Sequence, residues 1–181
     1  MKLVTLHQPW ASLVALGLKR YETRHWSTDY RGPLLIHAAK RPFMSADASR
    51  VLNFAAWSVW IDALRIAHET GVINDQSRLP FAHQLPLGCI VAIAELTDCR
   101  MMAPSYNTLS EQTYRYINEQ SQLELTVGDW RPGRYALQLD NVRPLPQPIP
   151  FTSRQGKLLS VPEELALVVR SQIEQPVGVM L

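Results

Sequence analysis

The chain is short of cysteine, with only Cys89 and Cys99 among 181 residues. Ten positions apart on what reads as one strand and its end, they make neither a disulfide framework nor a metal spacing. No stretch approaches the roughly 20 apolar residues needed to span a bilayer. The opening run Met1 to Leu6 meets His7-Gln8-Pro9 too soon to supply a signal-peptide core. Net charge is almost absent too, at +2, so the surface as a whole is no polyanion trap. Internal repeats and low-complexity tracts are missing. His7, His25 and His37 have no metal-ligand spacing, and neither a metal nor a cofactor is expected. These absences leave a reduced, cytoplasmic chain with no membrane partner as the expectation.

What is present fits one domain over residues 1–181, with a real core. The hydrophobic fraction is 46% and the charged fraction 19%, too apolar for a disordered chain. Thirteen prolines point to many short elements joined by stiff turns. The charge is uneven. Between Gly17 and Arg41, six basic residues (Lys19, Arg20, Arg24, Arg31, Lys40, Arg41) stand against Glu22 and Asp29, a balance of +4. The remainder holds 12 basic and 14 acidic residues, or −2. Such a window suits a local anionic partner; a solvated cluster of Arg and Lys is the plainer alternative.

Leu3 to Leu6 reads as a strand, and Trp10 to Leu16 as a helix entered through Pro9 and closed by Gly17 in a left-handed cap. Tyr21 to Trp26 is a strand by composition, and Gly32-Pro33 turns into the strand Leu34 to Ala39. A helical pattern runs from Ser45 to about Glu69, carrying Leu52, Phe54, Trp57, Trp60, Ile61 and Leu64. Its two tryptophans read as packing residues in preference to a base-stacking platform. A loop from about Asn74 to Pro86 precedes the strand Gly88 to Thr97. Residues 104–133 look like an insertion with one short helix capped near Ser110. Arg134 to Val142 is another strand, and Arg143 to Pro150, with four prolines in eight residues, an extended connection. Ser160 to Glu163 reads as a capping box opening a helix through Glu174. The pattern is α+β: a mixed β-barrel with flanking helices.

Side chains alternate along a strand, so Glu22, Arg24 and Trp26 share one face of Tyr21 to Trp26, and Thr23 takes the other. Lys19 sits in the loop just before. A carboxylate between two cations stays ionised and holds both in place, leaving their donors for phosphate or a base edge. A surface ion-pair ladder is the competing reading. Trp26 has the best claim to stack on an unpaired base. Glu95, on the face of Val91 and Ile93, either finds a cation such as Lys19 or Arg24 or marks where its strand emerges into solvent.

The pattern Gly-x-Lys-x-x-Glu-x-Arg at Gly17, Lys19, Glu22 and Arg24 resembles the signature of the ASCH family. The run around it is similar to family members as well, with His7 to Ser12 before it and Trp26, Tyr30-Arg31-Gly32 and Ile36 to Lys40 after it. Gly88 to Ala92 and Arg134 to Leu137 match more loosely, and the helical segment and the insertion lie outside the likeness. The resemblance implies a PUA-like barrel with a cleft beside the motif that binds RNA or another nucleic acid or nucleotide. On that implication Lys19, Arg24, Trp26, Arg31, Lys40 and Arg41 are candidate contacts, and Gly17, Glu22 and Glu95 support them.

Three functions are set apart on this basis. The first is binding of RNA or a nucleotide-like ligand in the basic cleft. The second is hydrolysis, with Lys19 and Glu22 as candidate catalytic groups, as a ribonuclease or an amidohydrolase on a modified nucleoside. Amidohydrolase relatives pair lysine with threonine three residues on, where this chain has Glu22, and Thr23 is out of register. The third is recruitment of protein, with no partner implied.

Overall fold

The computed structural model describes residues 1–41, 54–70, 84–102, 116–154 and 156–174. The expected helix start at Ser45, most of the loop from Asn74, and the cap near Ser110 lie outside the described residues.

Strands buried on both faces build the centre of the sheet. Strand β1 (Lys2–Leu6) runs parallel to β3 (Gly32–Ala38), with Lys2 opposite Leu34 and Leu6 opposite Ala38. Between them lie helix α1 (Trp10–Ala15) and strand β2 (Tyr21–Arg24). Strand β4 (Cys89–Met101) pairs antiparallel with β3 and with β5 (Tyr135–Pro150), and β6 (Leu159–Ser160) adds to β1. The order is β2-β5-β4-β3-β1-β6. Repeated register shifts between β4 and β5 insert residues on one strand only, which increases local twist. The outcome is a curled, half-closed barrel of the PUA-like plan, α+β, with helices outside.

Because side chains alternate, each face of the sheet needs its own cover. Val4, Leu6, Leu34, Ile36, Ala94, Leu96 and Leu137 form the concave core, plugged by Ala11 and Val14 of α1. Leu3, Leu35, Ile90, Ile93 and Leu145 form the opposite face, closed by Val169 of the terminal helix. A third cluster joins Leu13 and Leu18 to helix α2 (Phe54–Glu69) through Trp60, Ala63 and Ala67, and to helix α3 (Gln122–Val127) through Leu123 and Val127. Trp60 is buried, whereas Trp57, read with it as a packing residue, is 45% exposed.

Four local expectations change. β2 ends at Arg24, before Trp26. β4 continues past Thr97 to Met101. The proline-rich run is no connection but the second half of β5. Its prolines fall at every second position, so missing N–H groups lie along one edge only. The other set keeps its donors: Phe151 N–H reaches Gly88 O at 3.0 Å. Ser160 does not cap the terminal helix, α4 (Glu163–Glu174). It belongs to β6 and accepts Lys2 Nζ at 2.9 Å, while Ala166 N–H closes on Pro162 O.

His37 is fully buried on the Leu35 face. Its Nε2 donates to Phe151 O at 2.9 Å, and Nδ1 lies 3.2 Å from the Thr5 hydroxyl. Burial lowers its pKa below the usual histidine value, partly countered by the Phe151 carbonyl. Among the described residues, no helix is long and apolar enough to cross a membrane.

Candidate nucleic-acid interface

The site begins at the end of α1. Gly17 has φ +72°, a conformation that costs any residue with a Cβ, although a Cβ there would meet nothing within 4 Å. Its N–H bonds Val14 O and that of Leu18 bonds Leu13 O, each at 2.9 Å. This double closure, with Leu18 packed in the cluster of Leu13, is a Schellman cap. It reverses the chain and leaves the Lys19 side chain pointing inward, 1% exposed.

A buried ammonium must be compensated. Lys19 Nζ donates to Val127 O at 3.2 Å and stands 3.7 Å from Glu22 Oε2. Val127 closes α3, where carbonyls lack partners within the helix, so a cation is favoured there. Trp10 Nε1 donates to the same carbonyl at 3.0 Å. The other Glu22 oxygen lies 2.9 Å from Arg24 Nε. Arg24 also donates to Thr5 O at 2.8 Å and stands 5.9 Å from the Trp26 ring centre. Glu22 thus holds two cations, and strand alternation places it and Arg24 on one side.

These groups line a cavity of about 420 Å³ whose walls include Leu6, Trp10, Val59 and Val127. Its far side comes from the segment read as an insertion. Ser121 caps α3 by accepting Glu124 N–H at 3.2 Å. Beyond Gly128, the Asp129 N–H donates to Thr23 Oγ1 at 3.0 Å, and Arg134 donates to Thr23 O at 2.8 Å. Asp129 pairs with Arg131 at 2.7 Å and Arg134 at 3.3 Å. The Arg131 hydrogen bonds chiefly hold its carboxyl below the usual range. A Cβ on Gly128 would clash with Trp130 Nε1. Only glycine lets that indole close on Glu124 O, at 2.8 Å.

Lys19, Glu22 and Arg24 converge, with Gly17 as the cap that sets them. Other candidates fall elsewhere. Trp26 is 7% exposed and packed in the concave core, so its ring has no open face for a base. Arg31 is exposed and tied to Asp98 at 3.4 Å. Lys40 and Arg41 are exposed just past β3. Arg41 approaches the cavity through its backbone, its carbonyl 3.2 Å from Nδ1 of the wall residue His7. Glu95 does not support this site. It lines a second cavity of about 620 Å³ with Arg143, Arg170 and Glu174, because β4 carries it to the far end of the sheet. Among the described residues, no group of three or more His, Cys, Asp or Glu could hold a metal.

Glu124, Asp129 and Arg134 are site residues that the sequence does not single out. Glu124 has a local signal, the capping box Ser121-x-x-Glu124, although the pattern suggests a cap near Ser110. Asp129 and Arg134 meet Thr23 from more than a hundred residues along the chain. Trp10, which the sequence offers with Trp26 and Tyr30 as a π-face for an unstacked base, also serves as a donor to Val127 O.

Comparison with known proteins agrees with the motif. The ASCH domain model matches residues 4–131, a span that includes the helical segment and almost all of the supposed insertion. Activating signal cointegrator 1 from Homo sapiens, and likewise from Mus musculus, is 34% identical over 97 residues. That match covers 53% of this chain and only 14% of the relative. With its signature residues gathered at one cavity and more than half its length matched, this chain belongs to the ASCH domain family.

Proposed function

We propose that the cavity beside Lys19, Glu22 and Arg24 binds nucleic acid, with RNA or a nucleotide-like part of it as the ligand. The supporting observation is a pair of cations fixed by one buried carboxylate in a cavity of about 420 Å³. Fixed donors lose little entropy when a ligand arrives. Apolar walls suit an unstacked base, and Arg24 and Arg134 supply planar donors for phosphate or a base edge. Exposed Arg31, Lys40 and Arg41 would add sequence-independent attraction along the backbone. Membership in the ASCH family supports the same reading, as does the basic window between Gly17 and Arg41. Glu22 is engaged by two cations, which favours an organising role over that of a general base.

Fluorescence anisotropy with labelled single-stranded RNA at several salt concentrations tests this. Affinity should fall with salt, and fall further in Arg24→Ala and Lys19→Ala, with no RNA cleaved. Unchanged affinity in both variants would refute the assignment of the cleft. Cleavage abolished by Glu22→Gln would move the reading to hydrolysis.

A further inference from the structure

Glu124 is the third position after the Ser121 cap, where a glutamate ordinarily reaches back to its own helix's N-cap N–H. Its carboxylate is directed elsewhere. Oε1 accepts the backbone N–H of Arg20. The side chain is buried, and among the described residues Oε2 has no hydrogen-bond partner. That amide belongs to the residue that follows Lys19. The carbonyl of Glu124 meanwhile accepts Trp130 Nε1 and Gly128 N–H, at 2.8 and 2.9 Å. One residue therefore ties α3, the motif loop and the cavity wall together.

The charges around it are few. Lys19 and Arg20 attract it from the loop, Tyr21 and Glu22 lie on β2, and Asp129 and Trp130 follow α3. Helix α2 packs on α3 through Trp60, Ala63 and Ala67. Its ions Asp62, Arg65 and Glu69 pair among themselves in solvent. If all are ionised, Lys19 and Arg24 are balanced by Glu22 and Glu124. The buried group is then neutral, and anion attraction at its floor is weakest.

Resting on the nucleic-acid reading above, we propose that Glu124 is a positioning residue of the cleft. It clamps the backbone after Lys19, and its negative charge limits the pull of Lys19 on an anionic ligand. The clamp is a matter of hydrogen-bond geometry and the limit a matter of charge, so two substitutions separate them. Gln keeps an oxygen for the Arg20 amide and removes the charge; Ala removes both.

Two measurements on the full chain decide the matter. Amide hydrogen exchange, without ligand, should show the Arg20 amide protected in the wild type and in Glu124→Gln and exposed in Glu124→Ala. Anisotropy with a labelled oligouridylate from about pH 5 to about pH 8 should show wild-type affinity falling as pH rises through the Glu124 titration. Glu124→Gln should bind roughly tenfold tighter at the alkaline end and lose that part of the profile. Every other ionisable group is common to both proteins, so the difference between profiles reports Glu124. Superimposable wild-type and Gln profiles would overturn the charge role. Arg20 protection lost in Glu124→Gln, or retained in Glu124→Ala, would overturn the clamp. If the wild type binds no oligouridylate, the nucleic-acid reading fails and hydrogen exchange still decides the clamp.

Discussion

Glu22 sits between two cations, with Oε1 2.9 Å from Arg24 Nε and Oε2 3.7 Å from Lys19 Nζ, and Lys19 is almost completely enclosed. A pair buried in this way depends on both partners remaining charged. Removing the carboxylate leaves a desolvated ammonium with the Val127 carbonyl and the charge of Glu124, to which it makes no ion pair among the described residues.

Glu22→Gln should therefore destabilise the chain by about 3 kcal/mol, and Lys19→Met in the same chain should restore much of the loss. Urea unfolding of the two single variants and the double variant checks this. Additive losses would mean that the two side chains are not coupled.

Gly17→Ala should cost about 1 kcal/mol, since the left-handed φ carries the whole penalty and no steric clash accompanies it. Asn, which tolerates that region better, should cost less than Ala. Thermal melts of the two variants rank them, and an Ala variant as stable as the wild type would contradict the cap.

Gly128→Ala faces a different obstacle. The added methyl meets the Trp130 indole, so the indole must leave Glu124 O or the α3 end must shift, at a cost of about 2 kcal/mol. Near-UV circular dichroism should show a changed tryptophan environment together with a lower melting temperature. An unchanged spectrum would place Trp130 elsewhere.

Two buried groups set opposite pH trends. The His37 pKa is lowered from 6.5, so the unfolded chain binds its proton more readily. That contribution is complete above about 6.5 and is lost as pH falls through the folded value. Glu124 is raised from 4.5, chiefly by burial, so its contribution is present below that value and lost as pH rises through the folded one. Glu124→Gln should accordingly be more stable than the wild type at neutral pH, and His37→Gln should flatten the loss below about 6.5. Urea midpoints across pH measure both. A Glu124→Gln midpoint below the wild type at every pH would show that its carboxylate contributes more by bonding than it loses by burial.

Most elements were legible because each is set by neighbours along the chain. Short apolar runs marked β1, β3 and β4, and Gly17 marked the end of α1. Local patterns misled where two elements satisfy similar rules. Prolines at every second position break a helix but still permit a strand whose second edge is open. A serine three residues before a glutamate fits a capping box, yet Ser160 was taken by β6 while Ser121 was the true cap.

The sequence by itself determined the motif, the strand alternation that puts Glu22 and Arg24 together, and the backbone reversal at Gly17, all of which depend on residues within one short segment. Tertiary structure alone decided that Lys19 is buried, that Val127, Asp129 and Arg134 complete its cavity, and that Glu95 and Trp26 do not. The physical reason is distance along the chain. Desolvation and hydrogen-bond partners are set by whichever segments pack together, and here α3 reaches the motif from a hundred residues away.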